Sequence, residues 1–321
     1  MSRAFEYLRA SRASEIASLR RLLRTGEQIL AISELIHVLQ RERGASNIWI
    51  CSAGRLFGDE LDARALEVAQ RQENALMILP EAVAQPGYSR FCMLIAAALQ
   101  SLESLPALRQ HIRAGQCSHA EAMEGFNHII RTLLNLVFEA TDTASEPEIS
   151  RALIALFSFM QGKELAGQER ATGSAGFAAG EFTAEQRQRI QMLIAAQEQS
   201  FATFSQFADA HNQQQWLLMA DADSQIERLR RIACTGAQCG ENGVLQWFTL
   251  LSQRLDQMKQ IEDGLCSTLM ACCQRAIAVS EQAEPQHLAF NEDASFSLYV
   301  AGASWLGEQE TTLDSNGLAP Q

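Results

Sequence analysis

Between Pro147 and Pro285 the chain contains no proline. Every residue of that interval keeps its backbone N–H, so helices can run through it without the lost hydrogen bond and ring clash that proline brings. Ala, Leu, Gln, Glu and Arg are abundant throughout, and no run of alternating β-branched residues bounded by turn signals argues for a strand. The chain is therefore expected to be all-α.

Capping pairs mark several helix starts: Ser118 before Glu121, Ser145 before Glu148 and Thr183 before Gln186 each set a hydroxyl three residues ahead of a Glu or Gln. With the Gly and Pro breaks, they predict helices near 3–24, 27–53, 60–79, 88–104, 119–141, 146–171, 184–210, 212–234 and 242–281. Nine helices exceed one four-helix layer, so the expected architecture is two linked antiparallel four-helix-type bundles with long helices. These occupy roughly 25–141 and 146–281 within a helical domain of residues 1–283. From 284 to 321 Pro285, Asn291, Glu292, Asp293, Gly302 and Gly307 break any period, and the segment reads as an irregular acidic tail. Its Phe290, Phe296, Tyr299 and Trp305 suit docking on the bundle or on a partner.

Composition narrows the class of function. A formal charge of −12 repels phosphate backbones, so no direct nucleic-acid partner is expected. The eight cysteines lack CxxC or zinc-finger spacing and read as core thiols of a reducing compartment. The amino terminus enters an amphipathic pattern without a signal peptide's apolar core, and uninterrupted apolar stretches such as Met93 to Leu99 are far shorter than the ~20 residues of a span. A cytoplasmic protein without a membrane segment is expected.

Three arginines interrupt what should be core. Ile32, Ile36 and Leu39 form a stripe at i, i+4, i+7, and the next place on it is Arg43, followed by the small residues Gly44, Ala45 and Ser46. A guanidinium keeps its charge when buried and needs a counter-anion or water, and the bare backbone beside it admits a neighbouring helix or a small ligand. The pattern recurs 127 residues later, where Arg170 follows the stripe Ile149, Leu153, Leu156, Met160 and precedes Gly173 and Ser174; Glu42-Arg43 and Glu169-Arg170 are the identical pairs. A third arginine, Arg230, shares a helix side with Met219, Ile226 and Ala233, while Arg228 and Arg231 point elsewhere. Without further knowledge, each could also be a stem packed on apolar surface with its head in water or paired with a glutamate.

The run Leu39-Gln40-Arg41-Glu42-Arg43-Gly44-Ala45-Ser46, closing a long helix, resembles the opening motif of the NIT family of nitrate- and nitrite-sensing domains. Glu164 to Ala171, with Gly176, Phe177 and Gly180 behind it, resembles the family's internal glutamate-arginine motif, and the likeness runs over most of residues 26–280. It is greatest to nitrate-responsive transcription antiterminators of the family, in which two four-helix bundles hold the anion between them. The resemblance implies nitrate or nitrite as ligand, held by Arg43, Arg170 and Arg230 with Gly44, Ala45, Ser46 and Gly173 as supporting small residues, no cofactor beyond the ligand, and no metal. It implies a sensor, not an enzyme, whose bundles rearrange on anion binding and which signals within nitrate-assimilation control. Two departures stand out: the second motif has Ala171 where the first has Gly44, and no Lys or Arg follows Arg275. An RNA-binding ANTAR module at the carboxyl end is therefore not expected, and the output falls to a separate antiterminator or another signalling protein. Exposed faces on long helices suit a homodimer.

Two rival readings make different demands. Glu34 and His37 have the Glu-x-x-His spacing of di-iron helical bundles, which needs a second such motif; the other instance, Glu284 and His287, lies in the tail. His111, Cys117 and His119 cluster around an expected turn, where an ordinary polar loop is the simpler reading than a metal site. A ligand-free structural scaffold requires each arginine to find its own carboxylate.

Overall fold

The structure, a computed structural model, describes residues 3–79, 89–141, 146–220, 224–236 and 243–282. The described residues form ten helices and no strand. They are α1 (Arg3–Cys51), α2 (Gly58–Ile78), α3 (Ser89–Glu103), α4 (Leu105–Arg113), α5 (His119–Thr141), α6 (Pro147–Ala179), α7 (Ala184–Phe207), α8 (Ala210–Ala220), α9 (Ser224–Thr235) and α10 (Gly243–Gln282). Two units separate: Ala17–Ile277, which carries the core, and a small one in which Ser280 Oγ donates to Glu15 Oε1 at 3.3 Å. The expected tail, 284–321, lies outside the described residues.

Two of the three capping pairs form as read. Thr183 and Gln186 bond reciprocally at the start of α7, and Ser118 and Glu121 do so before α5. Ser145 lies outside the described residues; Glu146 is the N-cap of α6, with Pro147 in the first turn, where a missing N–H breaks nothing.

Four helix boundaries differ from expectation. α1 runs straight through Gly26, which was read as a break. A helical glycine costs only about 1 kcal/mol, and here its bare Cα faces Met270 while Leu19, Leu22, Ile29 and Ile32 keep one buried stripe. α6 continues through Gly173 and Gly176 to Ala179, because the rings of Trp247 and Phe182 press onto those glycines; Gly180, at φ 77°, then ends it. α4 is an additional helix, reopened at Pro106 directly after Ser104. The expected helix 212–234 is α8 and α9.

An 18-residue window within Ser89–Arg113 reaches a mean hydropathy of 1.5, enough by length and composition for a membrane span, where uninterrupted apolar stretches gave no sign of one. The segment folds as two helices, α3 and α4, with Ala98, Leu102, Leu105 and Ile112 in the core. The main core draws on α1, α5, α6 and α10 around Leu35, Leu39, Phe126, Ile130, Phe159 and Met258. A smaller apolar cluster gathers Phe177, Phe182, Ile190, Leu229, Trp247 and Leu251. α1 and α6 thus bring their Glu-Arg turns into the interior.

Candidate functional site

On α1 the stripe Ile32, Ile36, Leu39 is buried and Arg43 continues it, itself 0% exposed. Its Nη1 donates to Glu164 Oε1 at 2.5 Å and to Asn127 Oδ1 at 2.6 Å, and its Nη2 donates to Glu164 Oε2 at 3.1 Å. The same carboxylate also accepts from Gln40 and Gln168, both at 2.9 Å. One carboxylate and three amides thus surround a buried cation. Among the described residues, Arg43 Nε and Gln40 Oε1 are buried without a hydrogen-bond partner.

Arg170, 3% exposed, occupies the matching turn of α6 with different company. Nη2 donates to the Gln40 carbonyl at 2.7 Å and Nη1 to Ser252 Oγ at 2.8 Å, while the Phe248 ring centroid lies 5.0 Å from its Cζ. Among the described residues, none of its partners is a carboxylate, and Nε has no partner. Burial, and then the charge of Arg43, push this guanidinium down to about 9.

The two arginines cross. A Cβ at Gly44, beside Arg43, would stand 2.5 Å from Arg170 Nη2, and a Cβ at Gly167, on α6, would overlap Arg43 Nη2. Each head therefore rests on a glycine of the other helix, and α1 and α6 approach as closely as they do because no Cβ intervenes.

Arg230 stands apart from this crossing. Its Nε and Nη2 donate to the two oxygens of Glu169 at 2.7 and 2.8 Å, and its Nη1 to Glu227 at 2.8 Å, with Gln197 at 3.4 Å. Burial alone would lower its pKa, but the Glu169 bonds and charge, joined by Glu227, raise it above the ordinary value. None of its polar contacts is shared with Arg43 or Arg170. Arg228 and Arg231 are exposed, as read.

The small residues divide by role. Gly44 seats Arg170; Gly173 seats Trp247, whose Nε1 donates to the Arg170 carbonyl at 3.0 Å; Ala45 and Ser46 are buried beside them. Outside the crossing, two grooves of about 820 and 520 Å³ run along α5, α6 and α7, with Asn127 and Gln168 lining both and Glu164 lining the second. The groups that hold Arg43 therefore separate it from the grooves.

Several participants carried no role in the sequence reading. Glu164 lies one helical step past Met160 on the stripe that ends at Arg170, a legible signal hidden because Lys163-Glu164 resembles a solvated pair. The chain's two lysines are both in the interior: Lys163 Nζ lies 2.6 Å from Glu262 Oε2, and Lys259 Nζ bonds Glu34 at 2.7 Å, with Ser33 Oγ donating to Glu262. Glu34 is thus committed to a lysine and His37 Nε2 lies 3.6 Å from Asp256, so the Glu34-His37 pair presents no shared metal face. His119 Nε2 is hydrogen-bonded to Asn47 at 2.7 Å.

Residues 34–270 match the family described as nitrate and nitrite sensing, NIT. The chain is 38% identical over 283 residues to the nitrate regulatory protein of Klebsiella oxytoca, covering 88% of this chain and 70% of that one. A solved structure of the NasR transcription antiterminator matches at a TM-score of 0.80 and 35% identity, over 94% of this chain and 83% of that chain. With a family match across most of its length, including both Glu-Arg turns, the chain belongs to the NIT family of nitrate and nitrite sensing proteins.

Proposed function

We propose that the chain binds nitrate or nitrite where Arg43 and Arg170 cross, and that the bound anion fixes the relation of α1 to α6 for a separate output partner to read. The observation that carries this is Arg170: a buried cation whose partners are a carbonyl, a hydroxyl and a ring. Of the two guanidiniums at the crossing, Arg43 is hydrogen-bonded to a carboxylate, Glu164, and Arg170 feels Asp256 and Glu164 only through their charge, so a single monovalent oxyanion supplies the ionic partner that its hydrogen bonds lack. Nitrate is planar and delocalised, guanidinium is likewise planar and weakly hydrated, and desolvating both costs comparatively little. No other ligand or cofactor enters this reading.

Switching follows from the charges. Arg43 and Arg170 repel each other without an anion and attract a shared one, so the anion stabilises the crossed arrangement over any in which α1 and α6 move apart. Arg230 contributes through Glu169, the neighbour of Arg170, and not as a direct ligand. The free cysteines among the described residues suit a reducing cytoplasm. In this reading the output passes to another protein of nitrate regulation or to a second copy of this chain.

Thermal unfolding at constant ionic strength with nitrate, nitrite, chloride and sulfate tests the proposal. Nitrate or nitrite at a hundredfold excess over Kd should stabilise the chain by about 2.7 kcal/mol, and Arg170→Met should abolish that gain. Equal responses to all four salts would reduce the effect to screening and overturn it. Solution scattering that shows no nitrate-dependent change would remove the switching part. A ligand-free scaffold is favoured by Arg43 and Arg230, which have carboxylates, and opposed by Arg170.

A further inference from the structure

The order of elements repeats. A long helix with a Glu-Arg pair, a second helix, two shorter helices and a closing helix occur as α1 to α5 and again as α6 to α10. In each half the glutamate of the pair is fully desolvated and gripped by an arginine from the second of the two shorter helices. Arg109 of α4 donates Nε to Glu42 Oε1 at 2.6 Å and Nη2 to Glu42 Oε2 at 2.8 Å. Arg230 of α9 donates Nε to Glu169 Oε1 at 2.7 Å and Nη2 to Glu169 Oε2 at 2.8 Å. The same edge of the guanidinium meets the same two oxygens in both halves.

We infer that Arg109 is the counterpart of Arg230, a positioning residue for the anion site in the first half of the chain. Adjacent residues on a helix point about 100° apart, so a fork that fixes Glu42 fixes the rotation of α1 about its axis and with it the direction of Arg43. Glu169 and Arg230 do the same for α6 and Arg170. The sensing apparatus is then two Glu-Arg pairs, each braced by an arginine of its own half. The braces are not equal: Arg230 has Glu227 and Gln197 as further partners and an 11% exposed side chain, while Arg109 has, among the described residues, Glu42 alone and is 25% exposed. Arg109 is the looser of the two.

The inference rests on the reading that the anion binds at Arg43 and Arg170, and the test separates the two. In the anion-free full chain, hydrogen exchange is followed at residues 40–47 and 167–174 in Arg109→Ala and Arg230→Ala. Arg109→Ala should speed exchange about tenfold at 40–47 and leave 167–174 unchanged, with the reverse for Arg230→Ala. Nitrate affinity should fall about tenfold in each, and also in Glu42→Gln/Arg109→Gln, which leaves no buried charge unpaired and so guards against mere unfolding. Unchanged exchange at 40–47, equal acceleration of both segments, or unchanged affinity in both Arg109 variants would overturn the inference. If the unsubstituted chain ignores nitrate, the proposed function fails while the exchange results still decide whether Arg109 is a brace.

Discussion

Arg43 and Arg170 sit on matching turns of two long helices, in the same Glu-Arg pair, and are nearly equally buried. Their surroundings are opposite. Arg43 is closed by a carboxylate that two glutamines also hold, while Arg170 is left with neutral acceptors and an aromatic face. A repeated sequence motif thus yields one cation hydrogen-bonded to a carboxylate and one that is not. The asymmetry teaches that burial of an arginine is no guide to its role: Arg43 is bonded into the interior by a carboxylate, while Arg170 is the cation that the proposed anion would pair.

The largest effect should separate the two by stability. Arg43→Ala leaves Glu164 buried without its cation and should lower the unfolding free energy by about 3–5 kcal/mol. Denaturant unfolding measures it, with an unchanged m-value confirming that the fold is retained. A loss below about 1 kcal/mol would mean that Gln40 and Gln168 satisfy Glu164 by themselves, and the contrast with Arg170 would lose its basis.

That contrast was only half legible in the sequence. Arg43 and Arg170 could be found because each replaces an apolar residue at a stripe position, a local signal that survives any tertiary arrangement. The capping pairs at Ser118 and Thr183 were legible for the same reason. What distinguishes the two arginines was not, because Glu164 lies 121 residues from Arg43, and Gln40 lies 130 residues from Arg170. Arg109 was hidden for two reasons: its partner Glu42 is 67 residues away, and its helix reopens at a proline that reads as a terminus. Gly44 was read as room for a close approach, but that the approaching group is the other arginine's head depends on how α1 crosses α6.

The next largest effect probes the crossing itself. Gly167→Ala forces Arg43 Nη2 off its seat, against the hold of Glu164, and should cost about 1–3 kcal/mol. Gly44→Ala displaces Arg170 Nη2, which only a carbonyl holds, and should cost less than about 1 kcal/mol. Both should weaken nitrate binding. Equal stability losses in the two variants would show that the seats, and hence the two arginines, are equivalent.

A pH measurement reads the same difference at a distance. His37 is held down to about 2, by burial first and then by the charges of Lys163, Lys259, Arg41 and Arg170. Its folded-state value is below the ordinary 6.5, so its contribution is present above 6.5 and is lost as pH falls, when the unfolded ring takes up a proton that the folded ring refuses. Between pH 6.5 and 5.5, above the range where most carboxylates titrate, this should remove about 1 kcal/mol of stability. His37→Gln should flatten that limb. Arg170→Met, which takes away the smallest of those charges, should leave this window as it is, because the unfolded ring sets where the limb begins and the folded ring still refuses the proton there.

The smallest change in stability carries the most about function. Arg170→Met keeps much of the side-chain volume, removes a buried charge to which no carboxylate is hydrogen-bonded, and leaves Gln40 O and Ser252 Oγ each short of one donor. Relief of desolvation and of repulsion from Arg43 opposes the lost hydrogen bonds, and the two should nearly cancel, within about 1 kcal/mol. The nitrate response, by contrast, should vanish, because the cation proposed to take the anion is gone. Arg170→Lys distinguishes charge from shape: an ammonium keeps the charge but not the planar fork, so the response should be weakened and not abolished. A large destabilisation in Arg170→Met would place Arg170 with Arg43 as a structural cation. Near-neutral stability with no anion response is the combination that only an arginine kept for a ligand can produce.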